Sequence, residues 1–207
     1  IVCPDAVIQH CSTSEVYGDV SEADIPIKEN CPLRPVSPYA VSKTSQDHLA
    51  FAYFKSFNLK IIRTRMFTYF NPRRSDLFST AFAKQVVAIE KGNQDVLRHG
   101  NLDSVRTMVD VRDAMKAYWL AAVRCEIGEV YNIGGSNTIS VGDVLKIMID
   151  LAKVPIKTEI NTNLLRAKDV TLQVPDSTKF IDCTGWTEEF SFDESLDHLL
   201  NYWRNRV

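Results

Sequence analysis

Short apolar runs alternate along this chain with longer segments of helical character, and this alternation restricts the fold more than any other feature. Apolar runs that predict β-strands occupy residues 6–12, 60–66, 96–99 and 129–133. Segments that predict α-helices occupy residues 38–57, 77–91, 111–124, 140–153 and 191–203. Strands that alternate with helices favour a parallel sheet covered by helices. The pattern therefore predicts an α/β chain, with polar loops at residues 19–35 and 68–76.

The charge balance argues against several classes of partner. The 207 residues include 24 Lys and Arg and 26 Asp and Glu, which gives a formal net charge of −2. This balance provides no electrostatic reason to bind nucleic acid or an anionic membrane surface. Residues 49–54 are among the longest apolar runs, and they are far shorter than the ~20 residues that cross a bilayer. We therefore expect neither nucleic acid nor a membrane as a partner.

The cysteines indicate the redox compartment. There are five, an odd number, and none forms a Cys-x-x-Cys pair: Cys3, Cys11, Cys31, Cys125 and Cys183. This usage indicates neither a disulfide framework nor a zinc site, so we expect no bound metal. Free cysteines are typical of a reducing compartment, and we expect a cytoplasmic protein.

A motif at a strand end contains the first candidate site residues. The sequence Ser-Thr-Ser-Glu-Val-Tyr-Gly at residues 12–18 directly follows the first predicted strand. Ligands of parallel α/β sheets bind beyond the carboxyl ends of the strands. Thr13 and Glu15 are therefore expected where a substrate would lie. A glutamate at a strand end is also a common surface residue, so this motif alone does not define a site.

A tyrosine and a lysine four residues apart form a second candidate. Tyr39 and Lys43 stand near the start of the helix predicted at 38–57, and positions i and i+4 of a helix lie on one face. A neighbouring ammonium favours the phenolate form of a tyrosine. The pair could thus act as a general base toward a hydroxyl proton. The same spacing also occurs in helices whose aromatic residues only pack.

A polar loop with one cation forms a third candidate. Residues 101–106 have the sequence Asn-Leu-Asp-Ser-Val-Arg. The planar guanidinium of Arg106 suits bidentate binding of a phosphate group. A loop arginine is more often an exposed ion pair. The order of the three segments along the chain, rather than any single segment, indicates a common site.

This order resembles the extended short-chain dehydrogenases/reductases that act on nucleotide sugars. The likeness continues through Pro-Arg-Arg at 72–74, Phe-Ala-Lys-Gln at 82–85, Gly-Asn-Leu-Asp-Ser-Val-Arg at 100–106, Asp-Val-Arg-Asp at 110–113 and Leu-Arg at 165–166. Within that group the chain is most similar to the GDP-mannose 4,6-dehydratases and the related GDP-4-keto-6-deoxymannose reductases. The resemblance implies an α/β fold: the C-terminal part of a Rossmann-type doubly wound parallel sheet, plus a smaller α/β substrate-binding domain.

The resemblance also implies roles for individual residues. Thr13, Tyr39 and Lys43 would form the catalytic triad, and Glu15 would act at sugar C5 and C6. Ser12, Tyr39 and Lys43 would contact the cofactor, which would be NADP or NAD. The residues expected to contact the nucleotide-sugar substrate are Ser14, Arg74, Asn101, Arg106 and Arg166.

One fingerprint of the group does not occur in this sequence. The glycines, at positions 18, 92, 100, 128, 134, 135, 142 and 185, form no Gly-x-x-Gly-x-x-Gly, the spacing that lets a backbone approach a pyrophosphate. We therefore expect residues 1–66 to be the second half of the dinucleotide-binding domain, with the first half missing. Residues 67–207 would mostly form the substrate-binding domain, with segments at about 105–133 returning to the sheet.

Three functions are compatible with the sequence. The first is a 4,6-dehydratase that converts GDP-mannose to GDP-4-keto-6-deoxymannose by internal hydride transfer. The second is a reductase, or another nucleotide-sugar epimerase or dehydratase of the same group. The third is a catalytically inactive fragment that only binds a nucleotide sugar or a partner. The Glu15 motif favours the first, and the 207 residues alone are expected to be inactive.

The helix predicted at 38–57 suggests how the protein assembles. Its apolar residues extend over more than one face: Leu49, Phe51, Tyr53, Phe54 and Phe57. A helix that is apolar on two faces buries both. Burial within one chain would satisfy the pattern equally well. Together with the family resemblance, the pattern leads us to expect a homodimer through helices 38–57 and 77–91.

Overall fold

The computed structural model describes residues 3, 5–75, 77–165 and 172–206. Its strands are β1 Ile8–Thr13, β2 Ile61–Met66, β3 Tyr69–Phe70, β4 Leu97–His99, β5 Val105–Thr107, β6 Val109–Asp110, β7 Val130–Ile133, β8 Thr138–Ser140, β9 Thr158–Ile160 and β10 Leu172–Gln173. Its α-helices are α1 Pro38–Phe57, α2 Phe78–Glu90, α3 Val111–Arg124, α4 Val141–Asp150, α5 Thr178–Thr184 and α6 Phe192–Arg204. Short 3₁₀ turns occupy Ser14–Tyr17, Glu22–Asp24 and Thr162–Leu164.

The predicted elements are all present, with ends that differ from the prediction by three residues at most. The sequence analysis missed α5 and the short strands β3, β5, β6, β8, β9 and β10. These strands have two or three residues each, too few to show a recognisable alternation of apolar and polar positions. Pairing with distant strands, rather than local pattern, defines them.

The main sheet has the strand order β1-β2-β7, and both pairs of neighbours are parallel. Successive side chains of a strand point to opposite faces, and β2 shows this alternation. Arg63 and Arg65 reach Asp47 of α1 on one face. Ile62 and Met66 pack on the other face in a buried cluster with alanines of α3. The sheet is thus covered by α1 on one side and by α3 on the other.

The first strand is partly exposed. In the apolar run at 6–12, Val7 and Ile8 are 43% and 45% exposed. Among the described residues, β1 has β2 as its one strand neighbour, so its other edge is open. The outer face of α1 is also exposed, with the side chains of Leu49, Phe51, Tyr53 and Phe57. This end of the sheet presents an apolar surface.

A second core lies among α2, α4 and α6. Its fully buried members include Val86, Val144, Met148 and Leu199. Beside it, β5 pairs in parallel with β10 and antiparallel with β8. Within residues 105–133, β7 joins the main sheet whereas β5 belongs to this smaller sheet. The division of the chain into two domains at residue 66 stays a prediction.

The structure does not favour α2 as a dimer helix. Its apolar residues Phe82, Ala83, Val86 and Val87 are all buried within the chain, where α2 packs against α4 and α6. None of the exposed large hydrophobic side chains among the described residues belongs to α2. The apolar face of α2 is therefore covered within the chain, and the homodimer through α1 and α2 stays a prediction. In the ranges described above, no helix is both long enough and apolar enough to cross a membrane.

Candidate active site

The strand-end motif forms a tight turn at the carboxyl end of β1. Thr13 caps the 3₁₀ turn Ser14–Tyr17, because its Oγ1 accepts a hydrogen bond from the Glu15 amide at 3.3 Å. Gly18 ends the turn with a φ of 57°, and a Cβ there would lie 1.7 Å from the carbonyl oxygen of Arg34. Only glycine fits such a position. The turn therefore holds Glu15 two residues beyond the end of the sheet.

The hydroxyl and carboxylate groups of this turn differ in accessibility. A hydroxyl that accepts a bond from an amide still has its own proton to donate, so Thr13 can donate to a substrate oxygen. No side chain among the described residues pairs with the Glu15 carboxylate, which is partly exposed. Ser12 and Ser14, expected at the cofactor and the substrate, are 6% and 5% exposed. The turn thus offers Thr13 and Glu15 more openly than the two serines.

The tyrosine and lysine project from the first two turns of α1. The helix begins at Pro38 because Ser37 caps it, with its Oγ accepting from the Ala40 amide at 3.1 Å. Tyr39 is 51% exposed. Lys43 donates from Nζ to the carbonyl oxygen of Cys11 in β1 at 3.2 Å. This bond attaches the helix to β1 just before Thr13, and it leaves the ammonium two further N–H donors.

These four residues form what we call the strand-end cluster: Thr13, Glu15, Tyr39 and Lys43. Helix α1 packs on β1 and on the turn that follows it, so the cluster lies around the carboxyl end of one strand. A hydroxyl donor, a carboxylate, a phenol and an ammonium in this arrangement can exchange protons with a polyhydroxylated ligand. No metal-binding group of three or more His, Cys, Asp or Glu occurs in the part of the chain that the structure describes.

The expected substrate residues lie farther along the chain. Arg106 in β5 donates from Nη1 to Oε1 of Gln173 in β10 at 2.5 Å. Asn101 forms a local turn, in which its Oδ1 accepts from the Asp103 amide at 2.9 Å. Arg74 follows β3 and is exposed. Arg166 lies outside the described residues.

Sequence analysis missed a buried ionic network directly behind the strand-end cluster. Asp47, two helical turns after Tyr39, is completely buried. Its carboxylate accepts hydrogen bonds from Arg65 Nε at 3.0 Å and Nη2 at 3.1 Å, and from Arg63 Nη1 at 3.1 Å. Burial alone would raise the pKa of Asp47, but the hydrogen bonds and positive charge of Arg65, with the charge of Arg63, outweigh burial and lower it.

The same network reaches the turn that carries Glu15. Arg65 donates from Nη1 to Tyr17 Oη at 2.9 Å and to the Glu29 carbonyl at 3.0 Å. Tyr17 donates in turn to Asn132 Oδ1 of β7 at 2.6 Å. Burial raises the pKa of Tyr17, which keeps its hydroxyl protonated as a donor. We define the ionic network as Tyr17, Glu29, Asp47, Arg63, Arg65 and Asn132.

A signal for this network was present in the sequence. Two arginines, Arg63 and Arg65, interrupt the apolar run of the strand predicted at 60–66. A charge in a buried strand needs a partner. Asp47 lies one turn after Lys43 on the same face of the predicted helix, where it can supply that partner.

A further tyrosine borders the site from α3. Tyr118 is partly buried, and burial is the main reason that its pKa is raised well above the usual value. The ionisable groups of Cys11, Tyr69 and Tyr39 raise it further, whereas Arg74 lowers it. Tyr118 is thus within electrostatic range of both Tyr39 and Arg74. Sequence analysis gave no indication of it, because Tyr118 has no spacing relation to either motif.

The fold and the site together define a class of protein. A parallel sheet covered by helices, a Ser/Thr-rich strand end and a Tyr-x-x-x-Lys helix characterise an α/β short-chain dehydrogenase/reductase of Rossmann type. The sequence profile described as GDP-mannose 4,6 dehydratase matches residues 2–199. The chain belongs to this family, and the fold class predicted from the sequence is confirmed.

Individual relatives agree with this assignment. The GDP-6-deoxy-D-mannose reductase of Pseudomonas aeruginosa is 28% identical over 200 residues, which cover 96% of this chain and 66% of that protein. A solved structure of RMD from Pseudomonas aeruginosa with NADPH superposes with a TM-score of 0.89 at 27% identity, covering 96% of this chain and 67% of that one. The dTDP-glucose 4,6-dehydratase of Bacillus anthracis, solved with NAD, gives 0.86 at 27% identity, covering 98% and 63%.

These relatives bear on the expected cofactor and on the choice between a dehydratase and a reductase. The cofactors in the two solved structures, NADPH and NAD, are of the class predicted from the sequence. The chain spans 66% of the reductase and 63% of the dehydratase. The relatives include both a reductase and a dehydratase, so similarity alone does not separate the two reactions.

Proposed function

We propose that the protein is a nucleotide-sugar 4,6-dehydratase that converts GDP-mannose to GDP-4-keto-6-deoxymannose with NADP or NAD. One observation carries this proposal. The carboxylate of Glu15, which pairs with no side chain in the described part of the chain, lies in the turn that Thr13 caps, at the strand end where Tyr39 and Lys43 also lie. A reductase needs a proton donor and a hydride source, whereas a dehydratase needs in addition a base for C5, and Glu15 supplies one.

The residues present fit the nicotinamide end of the cofactor. Tyr39 is half exposed beside the strand end, and Lys43 has N–H donors left for a ribose hydroxyl. The glycine fingerprint for a pyrophosphate does not occur in this sequence. The nicotinamide, when bound, supplies a reversible hydride acceptor. Ser12, Tyr39 and Lys43 are the residues that we propose as its contacts.

The residues of the chain perform the proton chemistry. Thr13 donates a hydrogen bond to the C4 oxygen, and Tyr39, assisted by Lys43, takes the C4 hydroxyl proton as C4 is oxidised. The resulting ketone acidifies the C5–H bond. Glu15 removes the C5 proton and returns a proton to the C6 hydroxyl, which leaves as water. Reduction at C6 by the hydride removed from C4, and transfer to C5 of the proton that Tyr39 accepted, complete the 4-keto-6-deoxy sugar.

Other residues hold the nucleotide part of the substrate in this proposal. Arg106 binds the diphosphate through its planar fork, and Gln173 fixes the direction of that fork through the bond at 2.5 Å. Ser14, Arg74, Asn101 and Arg166 are proposed as further contacts.

The proposal is tested by product analysis on the protein expressed from its whole reading frame. Incubation with GDP-mannose and NADP or NAD should give a product that has lost one water, without net consumption of cofactor. In Glu15→Gln the first hydride transfer should persist while elimination stops. Reduced cofactor should then accumulate in a single turnover, seen as nicotinamide absorbance. Release of the 4-keto-6-deoxy product by this variant at the wild-type rate would exclude Glu15 as the base.

A reductase is the second candidate, favoured by the 28% identity to the Pseudomonas aeruginosa GDP-6-deoxy-D-mannose reductase over 96% of the chain. A reductase would consume one NADPH or NADH for each 4-keto-6-deoxy sugar nucleotide and would not dehydrate GDP-mannose. A protein that only binds nucleotide sugars would do neither. Calorimetric titration with GDP-mannose and with NADP, separately, would still detect its binding.

A homodimer through α1 is the proposed assembly. Leu49, Tyr53 and Phe57 are 55%, 42% and 67% exposed and follow each other at intervals of four residues. A second copy of the helix would cover this apolar stripe. Light scattering should find a dimer, and Leu49→Glu with Phe57→Glu should shift the protein to a monomer. A strict monomer of the wild type would refute the proposal.

A further inference from the structure

One guanidinium group connects two parts of the strand-end cluster that share no direct side-chain bond. Arg65 holds Asp47 of α1 through two parallel hydrogen bonds, at 3.0 Å and 3.1 Å. The same guanidinium donates to Tyr17 Oη at 2.9 Å. Asp47 lies on the helix that carries Tyr39 and Lys43, and Tyr17 is the last residue of the turn that carries Glu15.

The network continues to the neighbouring strand and loop, which fixes its geometry. Tyr17 donates to Asn132 of β7 at 2.6 Å, and Asn132 donates from Nδ2 to the Ile27 carbonyl at 2.8 Å. The backbone N–H of Asn132 also donates to the Glu29 carboxylate at 2.8 Å. Each of the three guanidinium nitrogens of Arg65 also has a partner, and a fully connected buried network permits one arrangement of its members.

Stability alone does not account for such a network. A buried ion pair loses much of its Coulombic gain to desolvation, and apolar residues of similar volume are often as stable or more stable. Asp47 is completely buried and Arg65 is 4% exposed, so this desolvation applies to both. What the pair adds over an apolar contact is a fixed direction and distance, because a bidentate Arg–carboxylate contact specifies both.

We propose that Asp47, Arg65 and Tyr17 are positioning residues that set the distance between the general base Tyr39 and the elimination base Glu15. This proposal rests on the proposed function, in which one sugar must meet both groups in a single binding event. None of the three needs to touch substrate. Displacement of a catalytic group by about 1 Å can cost on the order of 10²-fold in rate.

The three variants to compare are Tyr17→Phe, Asp47→Asn and Arg65→Lys, each in the protein expressed from its whole reading frame. Tyr17→Phe keeps the ring in its apolar pocket and removes only the hydroxyl that ties the Glu15 turn to Arg65. A lysine cannot reproduce the bidentate fork of Arg65. We expect kcat to fall about 10- to 100-fold in each, with the KM for the nucleotide sugar within a factor of about two, since no substrate contact is lost.

A second readout separates positioning from general damage. In Tyr17→Phe only the turn that carries Glu15 loses its hydrogen bond to Arg65. Reduced cofactor should therefore accumulate during turnover, because elimination lags behind the first hydride transfer. Asp47→Glu keeps a carboxylate and should recover part of the activity lost in Asp47→Asn. A merely structural role would produce neither the accumulation nor the recovery.

A matched control is available in another buried ion pair. Glu90 and Arg204 join α2 to α6, with N–O distances of 2.6 Å and 2.9 Å and side chains 6% and 14% exposed. Glu90→Gln should lower the melting temperature without changing kcat by more than about two-fold, because this pair is linked to no residue of the strand-end cluster.

The outcomes are distinct. If the wild type is active and the Tyr17 and Asp47 variants lose stability as Glu90→Gln does but keep wild-type kcat, the positioning role is wrong and the proposed function stands. If Asp47→Asn does not fold, Tyr17→Phe alone decides. An inactive wild type with both NADP and NAD would overturn the proposed function, and the positioning role would fall with it.

Discussion

The strand-end cluster and the ionic network lie within two helical turns of each other, and they are built in opposite ways. Tyr39 is 51% exposed, whereas Asp47 on the same helix is completely buried. The cluster has few bonds to the protein, and all four of its residues are partly or largely exposed. The atoms of the network bond to one another. The comparison shows that the accessible polar groups of the proposed site have few partners, while the charges that lie behind them are fully paired.

The largest expected effect is on catalysis and comes from the exposed region. Tyr39→Phe removes the hydroxyl proposed as the general base and leaves the ring, so turnover should fall by roughly 10²–10⁴-fold. The free energy of unfolding should hardly change, because half of the side chain is exposed and its hydroxyl has no partner among the described residues. Steady-state kinetics and urea unfolding of the same preparation check both parts. Near-wild-type turnover would show that Tyr39 is not the base.

The next effect is on stability and comes from the buried region. Asp47→Ala leaves Arg65 and Arg63 facing a cavity without a counter-charge, and breaking a buried pair in this way costs about 3–5 kcal/mol. Urea unfolding followed by circular dichroism measures the loss. Tyr39→Phe is the control on the same helix. A loss of less than about 1 kcal/mol would mean that water or another group compensates the arginines, contrary to the paired network described here.

The pH dependence of the network follows from the lowered pKa of Asp47. A carboxyl whose pKa is lower in the folded than in the unfolded protein contributes stability that is fully present above its unfolded pKa, about 3.9, and is lost as pH falls through the folded pKa. The difference in unfolding free energy between the wild type and Asp47→Asn should therefore be constant from about pH 8 to pH 5. It should shrink below about pH 4. A difference that changes near neutral pH would point to another titrating group.

The smallest effect is expected from an ion pair at the surface. Arg98 and Glu159 join β4 to β9 at 2.6 Å, with both side chains about half exposed. Glu159→Gln should change the free energy of unfolding by at most about 1 kcal/mol, and added salt should reduce the effect further. If Glu159→Gln lowered the free energy of unfolding as much as Asp47→Ala, burial would not be the property that distinguishes the surface ion pair from the buried network.

The sequence by itself determined the elements that extend over several turns or alternations. Helix α1 was predicted with both ends as observed, because Ser37 and Pro38 define its start and Asn58 follows its last residue. The strand-end motif and the Tyr-x-x-x-Lys helix were also visible, since their chemistry depends on spacing within one segment. Family membership followed from the same motifs.

Tertiary structure decided what depends on neighbours distant in the chain. Asp47 and Arg65 are 18 residues apart, and no local rule joins them. The exposure of Val7 and Ile8 and the burial of Phe82 and Val86 in α2 depend on which elements pack against them. Burial and pairing are properties of the surroundings of a residue, and local sequence specifies these surroundings only where the pattern repeats.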